Sequence, residues 1–168
     1  MQTALGKSYA NYLRTNKRMI TVIQRVNNGS VTVDNAVLGQ IEQGIVALIA
    51  IEKPDTQKTA ERLVERLLNY RIFADANDKM NLSLRDIQGG LLLIPQFTLA
   101  ANTDKGNRPS FTEGAPPEQG RALFSYLCAQ AKQQHSPVAW GQFGADMRVA
   151  LVNNGPVTFT LRVQERPA

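Results

Sequence analysis

The sequence contains few of the residues on which common catalytic devices depend. Cys128 is its only cysteine and His135 its only histidine. One cysteine excludes an internal disulfide, and a His/Cys zinc site would lack ligands. A Ser-His-Asp or Cys-His device would need His135, which lies in the polar end of a predicted helix, away from any predicted pocket. We therefore expect no metal and no cofactor, and catalysis would rely on backbone donors, amide or hydroxyl side chains, or the substrate's own groups.

Long apolar runs and phosphate-binding glycine loops are also missing. No apolar run approaches the length that crosses a bilayer, and the N-terminal segment lacks the hydrophobic region of a secretory signal. The hydrophobic content of 43% and charged content of 20% are typical of a globular domain, for which 168 residues suffice. These features predict a cytoplasmic protein without a membrane segment.

Positive charge is concentrated at the N-terminus. Residues 1–18 contain four basic residues and no acidic one, and so account for most of the net charge of +5. The remainder is close to neutral, which gives little support for a basic nucleic-acid-binding surface there. We interpret residues 1–18 as a disordered basic extension and residues 19–168 as a single domain.

The most informative stretch is residues 91–99, where four aliphatic residues follow two glycines. Such a run is typical of a strand buried on both faces. Pro95 has no N–H for a sheet ladder and so marks an edge, a bulge or the exit of the strand. Gln96 and Thr98 then offer an amide and a hydroxyl. They line a pocket or merely satisfy backbone groups where the sheet ends, and this stretch alone favours the second interpretation.

The rest of the chain predicts a mixed α/β fold. Alternating and continuous apolar runs predict strands, and helical periodicity predicts two amphipathic helices whose buried stripes include Cys128. Arg25, in the first strand, is a solvated charge or a group that holds backbone carbonyls or phosphate. The predicted elements are strands at 20–26, 31–33, 36–41, 45–51, 147–152 and 157–163, helices at 56–70 and from Pro116, and turns at 27–30, 34–35 and 153–156.

Two short motifs together resemble the D-aminoacyl-tRNA deacylase family. Pro-Gln-Phe-Thr-Leu at 95–99 is similar to that family's Ser-Gln-Phe-Thr-Leu, and Asn-Asn-Gly-Pro-Val-Thr at 153–158 is similar to its Asn-X-Gly-Pro-Val-Thr. Further matches follow in family order over residues 19–163, and they are Gln-Arg-Val at 24–26, Tyr-Arg-Ile-Phe at 70–73, Lys-Met-Asn-Leu at 79–82, Arg-Pro-Ser-Phe at 108–111 and Ala-Asp-Met at 145–147.

The resemblance implies a homodimer with a β/β/α layered sandwich fold. It implies a cis Gly155–Pro156 bond whose main-chain oxygens recognise the amino group of a D-aminoacyl moiety in the partner's pocket, with Arg25 holding this motif. An L side chain would collide with the same wall. Phe97 and Thr98 would supply backbone N–H groups near the scissile ester, beside Gln96. The resemblance also implies three lining residues, which are Ala115, Phe143 and Met147.

The implied reaction is hydrolysis of the ester between a D-amino acid and the terminal ribose of tRNA, held mainly at its acceptor end. Because an ester is already activated, orientation and oxyanion stabilisation can suffice. Two mechanisms are open: Thr98 acts as the nucleophile, or water attacks with help from the tRNA's 2′-hydroxyl. We prefer the second mechanism because no base beside Thr98 is evident. A pocket that excludes L side chains should admit glycine, so glycyl-tRNA is also an expected substrate.

Pro95 departs from the family pattern, since it removes a serine hydroxyl and a backbone N–H. We expect an active enzyme because Gln96, Phe97 and Thr98 remain. Two alternatives stay open: a non-catalytic nucleic-acid-binding protein on the same fold, with the basic extension as its arm, and a structural dimer without substrate.

Overall fold

The computed structural model describes residues 19–164, so the interpretation of residues 1–18 as a disordered extension lies outside the described residues. No helix within the described range is long and apolar enough to cross a membrane. The elements in chain order are β1 (Met19–Val33), β2 (Ala36–Ile41), β3 (Gly44–Ala50), α1 (Gln57–Asn69), β4 (Phe73–Ala74), β5 (Met80–Leu82), α2 (Leu84–Ile87), β6 (Gly90–Pro95), a 3₁₀ helix (Phe97–Ala100), α3 (Pro117–Gln134), β7 (Val138–Trp140) and β8 (Arg148–Val163).

One six-stranded sheet organises the domain. Its order is β2-β1-β3-β6-β7, with β8 also paired to β1. β3, β6 and β7 run parallel, and the long β1 is antiparallel to β3 in its first half and to β2 in its second. β2 closes back onto β7, since a Cβ on Gly39 would lie 2.9 Å from the Cβ of Ala139. The fold is therefore mixed α/β, as predicted, with a nearly closed sheet.

The curled sheet divides the apolar side chains into two main clusters. The inner cluster lies inside the curve of the sheet and contains Val26, Val31, Ile41, Val46, Leu92 and Ile94. The larger cluster lies between the outer face of the sheet and helices α1 and α3, and it includes Ile45, Ala47, Leu91 and Leu93 from the strands. β3 and β6 contribute to both clusters, which explains their continuous apolar sequences.

The two predicted helices are confirmed. Thr56 caps α1 by accepting from the N–H of Thr59, whose hydroxyl accepts from the N–H of Thr56 in return. In α3, Cys128 lies in the buried stripe, and desolvation raises the pKa of its thiol to about 12. A thiol in this environment is a core group rather than a nucleophile.

The predicted hairpin at Asp34-Asn35 is confirmed, because both residues have the positive φ angles, 48° and 63°, of a tight β-turn. The predicted turn at 27–30 is wrong, because β1 passes through it without interruption. There β1 pairs with β8 throughout and with β2 from Gly29 onward, so its polar residues lie in a strand. Gly29 is required because a Cβ there would lie 2.9 Å from Cγ2 of Val46.

The end of the chain also differs from the prediction. Residues 147–152 and 157–163 do not form two strands joined by a hairpin turn. Apart from Met147, which precedes it, they belong to one strand, β8, which pairs with β1 on both sides of the Gly155-Pro156 motif. The motif is an outward bulge within a continuous strand, because β1 supplies partners for the backbone before and after it.

Candidate active site

The parallel strands β3, β6 and β7 end at the same edge of the sheet, which we call the carboxyl edge. Pro95 is the last residue of β6 and is level with Ile49 of β3. The next residue, Gln96, donates its backbone N–H to the carbonyl of Ile49 at 2.7 Å, and the chain then turns into the 3₁₀ helix. Pro95 is therefore the exit of the strand, as the sequence predicts.

Gln96 and Thr98 face each other at this exit, where the Gln96 amide donates to the hydroxyl of Thr98. Within residues 19–164 neither side chain is hydrogen-bonded to backbone, so the interpretation that they satisfy backbone groups is wrong. The backbone N–H groups of Phe97 and Thr98 also have no acceptor in that part of the chain. The turn thus presents one hydroxyl and two backbone donors at the surface.

Three further predicted residues lie around the carboxyl edge. Ala115 is fixed beside the end of β3, since its N–H donates to the carbonyl of Ile51 at 3.0 Å. Met147 lies beside the end of β6: a Cβ on Gly141 would be 2.6 Å from the Met147 sulfur and 3.5 Å from Cδ of Pro95. Phe143 belongs to the same segment after β7, and its ring packs 6.5 Å from that of Phe124.

Phe97 itself is one of the most exposed apolar residues, with 61% of its surface accessible. Its ring lies 5.3 Å from the ring of Phe111, which is 45% exposed. Two exposed aromatic rings in contact form an apolar surface patch beside the Gln96–Thr98 turn, and such patches are often binding surfaces. The family resemblance implies only a backbone role for Phe97, and a phenylalanine directly after a strand exit is the signal that could have indicated its exposed ring.

The Gly155-Pro156 motif forms a bulge in β8. Gln24 pairs with Thr158 and Val26 pairs with Asn153, so four residues of β8 lie opposite Arg25 alone. The Gly155–Pro156 peptide bond is cis, as the resemblance implies. Gly155 has a φ of +130°, and a Cβ there would lie 2.8 Å from Cγ2 of Val157. Only glycine fits this position without strain.

Arg25 holds the bulge from the neighbouring strand. Its Nε donates to the carbonyl of Asn154 at 3.0 Å, and its Nη1 donates to the carbonyl of Ile72 at 2.8 Å. Of the two predicted roles, the structure therefore favours the one in which Arg25 holds backbone carbonyls. The planar guanidinium suits two acceptors in fixed directions.

The structure does not bring the bulge and the Gln96–Thr98 turn together within one chain. Arg25 is level with Ile45 on β3, whereas Pro95 is level with Ile49. That offset is about 13 Å along the strands, and three strand spacings from β8 to β6 add about 14 Å across the sheet. Gly155 and Pro156 are exposed, toward the amino end of β3 and β6.

His135 is also remote from the carboxyl edge. Its Nε2 lies 2.6 Å from the carbonyl of Gly89, before the start of β6. Within one chain this histidine therefore does not lie beside Thr98.

Sequence reasoning missed a buried carboxyl behind Ala115. Asp55 precedes α1 but does not cap it, since the cap is Thr56. Instead Asp55 is buried and accepts from the N–H of Glu52 at 2.7 Å. Burial, and to a smaller extent the nearby Glu52 charge, raise the pKa of Asp55 to about 7 against the opposing effect of backbone hydrogen bonds.

Comparisons with known proteins agree with this geometry. Residues 22–162 match the family model described as D-Tyr-tRNA(Tyr) deacylase. A protein named D-aminoacyl-tRNA deacylase from Methylococcus capsulatus is 58% identical over 144 residues, 86% of this chain and 94% of that protein. One of the same name from Janthinobacterium sp. is 53% identical over 146 residues, 87% of this chain and 98% of that protein.

Two solved structures are similar as well. A structure titled c-Myc DNA Unwinding Element Binding Protein is 38% identical with a TM-score of 0.80, covering 89% of this chain and 99% of that one. A structure titled as a probable eukaryotic D-amino acid tRNA deacylase has a TM-score of 0.76 and covers 86% of this chain and 98% of that one. At 19% identity, the second shows the fold alone.

Proposed function

The chain belongs to the D-Tyr-tRNA(Tyr) deacylase family, and from this premise we propose that it hydrolyses the ester bond of D-aminoacyl-tRNA. The products are free tRNA and the D-amino acid, and the enzyme acts in the cytoplasm. The observation that carries the proposal is that both motifs have a geometry that suits this chemistry. One presents unpartnered backbone donors beside a hydroxyl, and the other presents a bulge held by Arg25.

The bulge is the chirality filter. The main-chain oxygens of Gly155 and Pro156 bind the amino group of the aminoacyl moiety. In a D-aminoacyl ester the side chain then points away from this wall, whereas an L side chain collides with it. Selection by collision needs a rigid wall, and Arg25 supports it through its two hydrogen bonds.

The filter works across two subunits of a homodimer. Within one chain the bulge lies at the far edge of the sheet from Thr98, so a complete pocket needs the bulge of a second copy. The same strand exposes Val149, Val152 and Phe159, with 37%, 50% and 37% of their surfaces accessible. Exposed apolar side chains on one strand are typical of a surface that a partner covers.

Complementation between inactive variants tests this arrangement. Gly155→Ala distorts the filter, and Thr98→Trp blocks the turn at an exposed position, so each homodimer should be inactive. A hybrid dimer contains one intact pocket, so mixed and reassorted subunits should recover about a quarter of the wild-type activity. Recovery would fail if each pocket used the bulge of its own chain, and two copies of the same variant provide the control.

The ester is hydrolysed by water, with the tRNA's 2′-hydroxyl assisting. The backbone N–H groups of Phe97 and Thr98 stabilise the oxyanion. Thr98 positions the substrate, because within residues 19–164 its hydroxyl is bonded to the Gln96 amide and to no base. Without a base, a threonine hydroxyl is a weak nucleophile. The remaining lining residues are Ala115, Phe143 and Met147.

A change in the substrate and a change in the enzyme together distinguish assistance by the 2′-hydroxyl from attack by Thr98. D-tyrosyl-tRNA that ends in 2′-deoxyadenosine should be hydrolysed far more slowly, whereas Thr98→Ala should keep substantial activity on the normal substrate. If Thr98→Ala abolishes hydrolysis and the deoxy substrate reacts normally, Thr98 is the nucleophile instead.

Pro95 is compatible with activity. It remains paired with Ile49 of β3, and the N–H of the next residue, Gln96, still donates to the carbonyl of Ile49. The turn that carries Phe97 and Thr98 therefore forms without the family serine. Replacing proline with serine, Pro95→Ser, should change kcat/KM on D-tyrosyl-tRNA by less than about tenfold, less than 1.4 kcal/mol.

A second candidate is a nucleic-acid-binding protein without catalysis. It is favoured by one similar solved structure, whose title names a DNA-unwinding-element binding protein. This candidate requires that deletion of residues 1–18 abolishes binding and that no ester is hydrolysed at any protein concentration.

A further inference from the structure

A cavity of about 670 Å³ lies along α3 rather than at the Gln96–Thr98 turn. We call it the α3 groove. Its lining includes Ser125 and Ala129 of α3, Trp140 of β7 and Leu38 of β2. The small side chains on the exposed face of α3 leave the groove open to solvent.

The α3 groove begins at the candidate active site. Gly141 and Phe143 line the groove and also belong to the segment that carries Met147. The Gly141 backbone lies close to both Met147 and Pro95, since a Cβ there would be within 3.5 Å of each. A ligand chain that leaves the pocket past Met147 therefore enters this groove directly.

Each end of the α3 groove has a cation fixed on an aromatic ring. Arg121 lies 5.3 Å from the ring centre of Phe143, beside the pocket, and also donates to the Phe143 carbonyl at 3.4 Å. Lys132 lies 5.8 Å from the ring centre of Trp140, at the far end. The rings hold both cations above the groove. Their positions along α3 are about 16 Å apart at 1.5 Å per residue.

The chemistry of the α3 groove fits a strand of nucleic acid. None of the described residues that line it is acidic, and the lining combines two cations with aromatic and small apolar groups. Spaced cations bind successive phosphates, and an apolar floor accepts bases.

We propose that the α3 groove binds the unpaired nucleotides that precede the terminal adenosine of tRNA. This inference rests on the proposed function, in which the terminal ribose ester occupies the pocket. The nucleotide nearest the ester lies by Arg121, and the strand continues toward Lys132. Only two phosphates are neutralised, which is consistent with the nearly neutral domain.

Steady-state kinetics on two substrates test the proposal. D-tyrosyl-tRNA has the preceding nucleotides, and the 3′-ester of D-tyrosine with adenosine lacks them. Lys132→Gln should lower the ratio of kcat/KM on the tRNA to kcat/KM on the adenosine ester about fivefold at 0.1 M salt. The double variant with Arg121→Gln should lower it about 25-fold. Lys79→Gln, with the same charge change in the exposed β4–β5 turn, is the control and should leave the ratio unchanged.

Salt dependence gives a second readout that a structural effect would not change. Each lost phosphate contact should reduce the slope of log affinity for uncharged tRNA against log salt by about 0.7. The proposal would be overturned by equal losses of kcat/KM on both substrates or by an unchanged salt slope. It would also be overturned if the Lys132→Gln dimer dissociated in sedimentation, because a second subunit would then occupy the groove. If the wild type hydrolyses neither ester, the proposed function fails, and binding of uncharged tRNA still tests the groove.

Discussion

Arg25→Lys is the substitution that most specifically tests the link between the bulge and catalysis. Arg25 holds two backbone carbonyls, those of Asn154 and Ile72, in different directions. A lysine keeps the charge but lacks the planar guanidinium with its separate N–H donors, so it retains about one of the two hydrogen bonds. A hydrogen bond to a charged group contributes about 1.5–3 kcal/mol. If that loss moves the Asn154 carbonyl and the bulge, kcat/KM on D-tyrosyl-tRNA should fall roughly 10- to 150-fold.

The assay compares D-tyrosyl- and L-tyrosyl-tRNA under single-turnover conditions. Because a displaced wall is a poorer filter, Arg25→Lys should also reduce the ratio of D to L hydrolysis. Arg162→Lys provides the matched control, since Arg162 is exposed further along the same strand β8. Wild-type kinetics in Arg25→Lys, or an activity loss that thermal unfolding of the variant fully explains, would refute the role of Arg25 in the filter.

The bulge, the buried Asp55 carboxyl and the filter can each be tested separately. Gly155→Ala should reduce D-tyrosyl-tRNA hydrolysis at least tenfold while the protein stays folded by circular dichroism, because a side chain at φ +130° meets Val157; a loss of stability alone would favour the structural dimer. Asp55→Asn should raise the melting temperature more at pH 8 than at pH 5. The raised pKa of Asp55 means that its stabilising contribution is present below pH 4 and is lost as pH rises to about 7, and equal shifts at both pH values would contradict this. Glycyl-tRNA should be hydrolysed, since glycine has no side chain to reject, and complete resistance of glycyl esters would show that the filter needs a D side chain.

Much of the fold follows from local sequence patterns. The helices around Leu67 and Leu127 are predicted by periodicity, and the buried strands β3 and β6 by continuous apolar runs. Asp34-Asn35 is predicted as a tight turn by residue type alone. In these segments local preference and tertiary packing agree, so the sequence is sufficient.

The segments that were predicted wrongly are those in which tertiary pairing decides the structure. Residues 27–30 have a turn-like composition, but two neighbouring strands provide backbone partners and hold them extended. The Gly155-Pro156 motif likewise has the composition of a hairpin turn. It is nevertheless part of one strand, because β1 pairs with the backbone on both sides of it. Long-range partners of this kind leave no local signal.

In the candidate site too, some residues can be placed from local sequence and others cannot. Gln96 and Thr98 could be placed at a strand exit because Pro95 marks that exit in the sequence. The grouping of Ala115 with Phe143 and Met147 came only from the family resemblance, since Ala115 lies far in sequence from the segment that carries the other two. The separation of the Gly-Pro bulge from this edge became visible only in the structure, through the strand register.

The most direct measurement is deacylation of matched D-tyrosyl- and L-tyrosyl-tRNA by the purified full-length protein, with a chelator present. We predict rapid loss of the D-ester alone. Hydrolysis of both esters at similar rates would contradict the filter formed by Gly155 and Pro156. Survival of both esters would contradict the enzyme itself and favour the nucleic-acid-binding protein.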